Sequence, residues 1–173
     1  YNKHFDEKNQ KKLLLNFKKA KNRILFLDYD GTLANFRSDP MIASPTKRVY
    51  EILNRLISSE KNKVVIMSGR DRDTLGEWFG KMSTDIVAEH GAWHKNGGET
   101  EWQMFSKLKN DWKEELRPIF NQFALRTPGS FLEEKNFSLA WHYRKTDPGL
   151  AEMRQHEFMD KLSQAISGKN LQI

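Results

Sequence analysis

Arg23-Ile24-Leu25-Phe26-Leu27-Asp28-Tyr29-Asp30-Gly31-Thr32-Leu33 joins a short apolar run to a pair of aspartates and a glycine. A continuous apolar run from Ile24 to Leu27, bounded by polar residues, predicts a short strand buried on both faces. Asp28 and Asp30 then stand at its carboxyl end, spaced so that both side chains can reach one site, and Gly31 lets the backbone turn away. In open parallel sheets the ligand crevice lies beyond the carboxyl ends of the strands. Such a pair can also serve merely as turn or capping residues; the full string following a buried strand is what marks it as chemistry.

Outward from that segment, the chain alternates. Ser44-Pro45 reads as a helix start, with Val49, Ile52, Leu53, Leu56 and Ile57 as the buried stripe. Val64 to Met67 repeats the buried-strand pattern, Leu75, Trp78 and Phe79 mark a short helix, and Ile86 to Ala88 a third strand. Strand, helix, strand, helix, strand is the rhythm of a parallel sheet with crossover helices. After Gly91 the rhythm changes. Ala92 to His94 and Glu101 to Met104 flank Asn96-Gly97-Gly98, a hairpin signal. A long helix carrying Leu108, Trp112, Leu116, Ile119, Phe120 and Phe123 follows, with a kink or break expected near Arg117 because of Pro118. Phe131 to Glu133 and Ser138 to Tyr143 read as strands around a turn at Asn136, and Asp147-Pro148 opens a last helix that stops at Gly168. The expected organisation is a lead-in or linker helix (residues 1–22, with Phe5 to Ala20 amphipathic), an α/β core (23–91) and a separate α+β lobe (92–173).

Composition narrows the chemistry. The 173 residues lack cysteine, which removes disulfides, thiolate metal sites and a cysteine nucleophile. No apolar run approaches a membrane span and no signal-peptide pattern opens the chain, so a cytoplasmic location is the default and no membrane partner is expected. The net charge of +6 raises the question of nucleic acid. Lys11, Lys12, Lys18, Lys19 and Lys21 cluster, but the other basic residues are interleaved with acids, the pattern of solvated helix faces; no nucleic-acid partner is expected. A mild cationic bias also suits an anionic substrate.

Ser68-Gly69-Arg70 closes the second strand directly before a helix starting near Asp71. A hydroxyl and free N–H groups at a helix start converge on negative charge, a natural phosphate cradle. Ser-Gly is also a common turn, so this piece gains weight from the aspartates beside it.

Together, Asp28-Tyr29-Asp30-Gly31-Thr32-Leu33 and Ser68 resemble the first two motifs of the haloacid dehalogenase superfamily. Ala88-Glu89-His90-Gly91, Glu133-Glu134-Lys135, Ser138 and His142-Tyr143-Arg144 resemble trehalose-6-phosphate phosphatases, the likeness running from about Lys21 to Ile173. That resemblance implies a Rossmann-like core with a cap inserted after the third strand. It implies magnesium-dependent hydrolysis of trehalose 6-phosphate through an aspartyl phosphate, with Asp28 as nucleophile, Asp30 as acid and base, and both as metal ligands. By the same resemblance Ser68 and Gly69 hold the phosphoryl group, Glu133 and Lys135 bind sugar hydroxyls, and Arg70 and His90 contact substrate at the seam between lobes.

The superfamily's third-motif lysine and its adjacent acidic pair are not located in this sequence. The chain starts at Tyr1 and ends at Leu171-Gln172-Ile173, which reads like a strand beginning, so the expectation is an incomplete core, nearly inactive by itself. An upstream synthase domain in the same polypeptide is expected from the lead-in helix. The alternatives are another sugar phosphatase or a phosphomutase, or a non-catalytic regulatory module of a trehalose-phosphate synthase; retention of both Asp28 and Asp30 speaks against the last.

Overall fold

A computed structural model of the chain describes residues 6–35, 43–105 and 107–173. Tyr1 and Phe5, where the sequence reading begins the chain and its lead-in helix, lie outside the described residues. Helix α1 (Glu7–Lys19) is capped by the Asp6 carboxylate, which accepts from the Asn9 N–H, and it carries Lys18 and Lys19 at its C-terminal end where the helix dipole favours them. The helix is tied to the first strand by Arg23, whose guanidinium lies 4.0 Å from the Phe17 ring centroid and donates to the Phe17 carbonyl.

Strands β1 (Arg23–Asp28), β2 (Asn62–Met67) and β3 (Asp85–Ala88) pair in parallel, with helices α2 (Lys47–Ile57) and α3 (Arg72–Phe79) as the crossovers. Tyr29, Leu53, Ile66, Leu75, Phe79 and Ile86 fill the core between sheet and helices and are essentially inaccessible. The Tyr29 hydroxyl donates to the Ala43 carbonyl at 2.6 Å, and burial pushes its pKa up to about 12. The residue between the two aspartates is thus a core anchor that fixes the direction of the loop.

Three sequence expectations change here. First, β1 is not buried on both faces: its residues alternate, leaving Ile24 59% and Phe26 65% exposed while Leu25 and Leu27 pack inward. β1 is the end strand of the sheet, whereas β2, inside it, buries Val64, Val65 and Ile66 in succession. Second, α2 is capped by Thr46, whose hydroxyl accepts from the Val49 N–H; Ser44-Pro45 precedes the cap and lies outside the helix. Third, the hairpin of β4 (Trp93–Lys95) and β5 (Gln103–Met104), assigned from sequence to the second lobe, hydrogen-bonds antiparallel to β3 and extends the first sheet. Its alternating pattern is that of any half-buried antiparallel strand and does not say which sheet it joins.

The second lobe lays α4 (Trp112–Arg126) and α5 (Pro148–Ala165) against the antiparallel pair β6 (Phe131–Glu134) and β7 (Leu139–His142). Leu108 precedes α4 rather than belonging to it, and the helix continues through Pro118. Pro118 is solvent-exposed, so the carbonyl it leaves without a partner, on exposed Glu114, can bind water instead. Phe120, Phe123, Trp141 and Phe158 form the lobe's aromatic core, with ring centroids of Phe120 and Phe123 4.9 and 5.0 Å from that of Phe158. As read from sequence, the Asp147 carboxylate caps α5 with Pro148 following, and Gly168 beyond its end is left-handed.

Helix α4 grips the hairpin through charge. The Arg117 fork binds both Glu134 oxygens at 2.9 Å, and buried Lys113 reaches Glu134 Oε1 at 3.4 Å and the Lys135 carbonyl. The Arg117 hydrogen bonds, with the charge of Lys113, hold the Glu134 carboxyl down at about 2 against an ordinary 4.5. A carboxylate whose pKa is lowered by folding contributes stability above its unfolded value and loses it as pH falls through the folded one. Glu134→Gln is therefore expected to cost about 0.5–1 kcal/mol at neutral pH, a range discounted for the pair's partial exposure. The deficit relative to wild type should close as pH drops from 4.5 towards 2, as read by denaturant melts across that window.

Candidate active site

The register of the parallel pair builds the site. Asp28 lies opposite Met67, and the Tyr29 N–H donates to the Met67 carbonyl at 3.2 Å, so the loop carrying Asp30 leaves the sheet beside the loop carrying Ser68, Gly69 and Arg70. Gly31, at φ 88°, turns the chain back, and the Gly31 N–H donates to the Ala34 carbonyl at 2.7 Å. The Asp71 carboxylate caps α3 by accepting from the Thr74 N–H and hydroxyl; burial raises its pKa, but these hydrogen bonds and those of nearby backbone outweigh that and leave it lowered.

The two lobes enclose a cleft of about 620 Å³. Of the residues expected from sequence, Asp28, Asp30, Gly69, Arg70, His90, Glu133 and Lys135 all line it. Ser68 stands behind the wall: it is 6% exposed, and its hydroxyl oxygen accepts from the Arg70 N–H at 3.1 Å. That hydrogen bond shapes the loop and leaves the Ser68 hydroxyl proton available to donate.

Arg70, expected at the lobe seam, is engaged with Asp30. Its Nε donates to Oδ2 at 3.0 Å and an Nη to Oδ1 at 2.8 Å, while the guanidinium carbon sits 5.4 and 5.0 Å from the ring centroids of Tyr29 and Trp78. Both partners face the cleft, and Asp30 keeps 34% of its side-chain exposure, so the pair sits at the rim and not in the core. Glu133 accepts from or shares a proton with His142 Nε2 at 2.5 Å, and its Oε2 lies 3.4 Å from Lys135 Nζ. Lys135 Nζ in turn donates to the Gly69 carbonyl at 3.0 Å, which brings the second lobe onto the Ser68-Gly69-Arg70 loop.

His90 and its neighbour Glu89 both have positive φ, 55° and 48°, conformations costing non-glycine residues on the order of 1–3 kcal/mol each. They are held there by the Glu89 N–H donating to the Arg70 carbonyl and the His90 N–H to that of Ser68. In that posture the His90 ring rests on Gly69, where an added Cβ would stand 2.4 Å from Cε1 and Nε2.

Sequence reasoning missed Phe131, Gly129 and Lys145, all of which line the cleft. Phe131 was readable: side chains two apart on a strand share a face, so Glu133 and Phe131 go together. Phe131 stacks on His142 with centroids 4.8 Å apart. Gly129 was not readable, because its need arises from Lys145, whose carbonyl oxygen would lie 2.4 Å from a Cβ there.

Among the described residues no group of three or more histidines, aspartates or glutamates gathers as a metal site. Magnesium commonly takes one or two carboxylates and keeps several waters, so the Asp28 carboxylate and the Asp30 backbone fit as one part of such a site.

A parallel sheet with an aspartate pair at the carboxyl end of its first strand, closed over by a second α+β lobe, defines the haloacid dehalogenase class of α/β folds. Within it, the chain belongs to the trehalose-phosphatase family, whose model matches residues 26–173. It is 40% identical over 170 residues to the bifunctional trehalose-6-phosphate synthase/phosphatase of Thermoproteus tenax, covering 98% of this chain and 23% of that protein. It is 39% identical over 157 residues to the trehalose-phosphatase of Saccharomyces cerevisiae, covering 89% of this chain and 18% of that one. The trehalose-6-phosphate phosphatase C-terminal domain of Candida albicans superposes with a TM-score of 0.88 at 36% identity, covering 92% of this chain and 55% of that one. The chain thus spans about a fifth of the length of these curated relatives.

A side chain at Gly69 would require the His90 ring to shift. Gly69→Ala is expected to destabilise by about 1–3 kcal/mol, and the penalty should shrink when His90→Ala is present as well, a coupling read by a double-mutant cycle of denaturant melts.

Proposed function

We propose that this cleft takes the phosphoryl group of trehalose 6-phosphate and delivers trehalose and phosphate. The observation that carries the reading is the convergence of Asp28, Gly69 and the Glu133–Lys135 arm on one cleft between two lobes. Asp28 attacks phosphorus as the bond from phosphorus to the sugar oxygen breaks, giving an aspartyl phosphate that water then hydrolyses. Asp30 gives a proton to the departing sugar oxygen and later takes one from the attacking water. A magnesium ion held by Asp28 and the Asp30 carbonyl, together with oxygens beyond those described, would offset the repulsion between carboxylate and phosphate dianion. The Gly69 N–H helps hold the transferring group.

Arg70 and Asp30 bear on that sequence. In the closed pair the Asp30 carboxylate is occupied. An entering phosphate offers the guanidinium fork two oxygens for the same bidentate pairing, so its arrival releases the Asp30 carboxylate, which takes a proton from solvent before acting as the acid. Glu133 and Lys135 present an acceptor and a donor to sugar hydroxyls, Phe131 offers an apolar face to the ring, and the second lobe acts as a cap that keeps water away until the sugar leaves. A cytoplasmic setting and a synthase domain in the same polypeptide, as the name of the Thermoproteus relative describes for that protein, belong to the same proposal.

The test is phosphate release from trehalose 6-phosphate, with sucrose and mannose phosphates alongside. Two proteins are compared: these 173 residues, and a chimaera in which they replace the matching part of the Candida albicans domain. The chimaera should prefer trehalose 6-phosphate and require magnesium. Asp30→Asn should lower its rate about 10²- to 10⁴-fold, and Asp28→Asn should abolish labelling by phosphate. Turnover by the 173 residues alone would contradict the incomplete metal site. A chimaera that prefers another sugar phosphate would replace the substrate named here.

A further inference from the structure

Glu89 is among the most buried charged residues of the chain, 5% exposed, and the chemistry above gives it no task. Its carboxylate crosses between the lobes. Oε1 accepts from Asn136 Nδ2 and Oε2 from the Phe137 N–H, each at 3.2 Å, so both oxygens are met by the turn between β6 and β7. Its own backbone is fastened the other way, its N–H donating to the Arg70 carbonyl at 3.0 Å. One residue therefore joins the Ser68-Gly69-Arg70 loop to the hairpin turn of the cap.

The same turn carries Lys135, whose ammonium returns to the Gly69 carbonyl. The links close a ring: phosphate-cradle loop, Glu89, turn, Lys135, and back to the loop. The Phe137 ring supports the closure by packing on Trp93, with centroids 5.9 Å apart. A buried carboxylate met by neutral donors is favourable only while those donors stay in place, and it rehydrates readily once they leave. Two consecutive left-handed, non-glycine residues at this point, held by the Arg70 and Ser68 carbonyls, fix the direction in which the Glu89 carboxylate leaves the core towards the turn. The carboxylate's bonds and its fixed backbone together tie the position of the turn to that of the Ser68-Gly69-Arg70 loop.

We propose that Glu89 is a positioning residue: a latch that fixes the β6–β7 turn against the phosphate-cradle loop, and so sets where Lys135 and Glu133 stand over Asp28. The proposal rests on the sugar-phosphatase reading for its purpose and on the geometry alone for its operation. Substrate entry requires the turn to lift, which breaks both carboxylate hydrogen bonds together; closure remakes them and restores Lys135 to its place.

The test is amide hydrogen exchange on this chain, resolved at Phe137, with strands β1 to β3 as internal reference. Asn136 is exposed, so Asn136→Asp leaves the cores untouched and sets a second carboxylate against Glu89. Exchange at Phe137 should quicken about tenfold or more while the strand amides keep their rates. Adding Glu89→Gln to Asn136→Asp supplies an amide donor to the new carboxylate and should bring Phe137 back to within about threefold of wild type. A residue that merely filled space would show no such rescue. Unchanged exchange at Phe137 in Asn136→Asp, or no recovery in the double variant, overturns the latch. A last arm adds trehalose 6-phosphate, with magnesium, to the chimaera described above, whose metal site is complete. If the variants behave as stated and the sugar phosphate leaves Phe137 exchange unaltered, the latch stands and the substrate reading is what fails.

Discussion

The parallel pairing of β1 with β2 is the constraint on which everything else depends. Setting Asp28 across from Met67 fixes, within one residue, that the loop after one strand and the loop after the next emerge side by side. A slip by one position would turn Asp28 to the opposite face and bury what must face the cleft. Tyr29 guards that register: fully buried, with its hydroxyl bound to the Ala43 carbonyl, it leaves the carboxylates on either side of it no choice but the rim. The acidic pair owes its placement to an aromatic residue that takes no part in chemistry.

From that pairing the cleft is assembled by contacts distant in sequence. Arg70 meets Asp30 across 40 residues, Lys135 meets Gly69 across 66, and Glu89 meets Phe137 across 48. Two of the cleft's cations are already engaged, Arg70 with Asp30 and Lys135 with Glu133. A dianion that takes the Arg70 fork must therefore exchange partners with Asp30. That is a recipe for selectivity, since only a ligand offering equivalent acceptors can displace a bidentate carboxylate.

Much of this was legible in the residues. Apolar runs of strand length, capped helices and the Asp28 to Leu33 string gave the alternating core and the position of the acids, because local periodicity and the end of a strand are properties of short segments. The hairpin at Asn96-Gly97-Gly98 was also legible as a hairpin, but not its membership of the first sheet, since which edge a strand joins depends on partners elsewhere. The exposure of Ile24 and Phe26 was hidden for the same reason: an apolar run reports a preference for burial, not whether something covers it. Ser68 was drawn forward by its chemistry, whereas its burial and its bond to the Arg70 N–H could be seen only once the loop was folded. Glu89 was visible only as part of the Ala88-Glu89-His90-Gly91 string and carried no task, because its donors Asn136 and Phe137 lie far along the chain.

Along β6 the side chains divide by parity. Leu132 joins the aromatic core and Glu134 is clamped to α4, while Phe131 and Glu133, with Lys135 just beyond the strand, line the cleft. Scaffold and cleft wall are thus interleaved on one short ribbon, and Lys135 belongs to both, its carbonyl accepting from Lys113 and its ammonium donating to the Gly69 carbonyl. Phe131, tied through its stacking on His142, is the position where a changed side chain would reshape the cleft with least disturbance to the frame. A change at Lys135 would move wall and frame together, so the ribbon offers one dial that turns freely and one that is geared to the bolts.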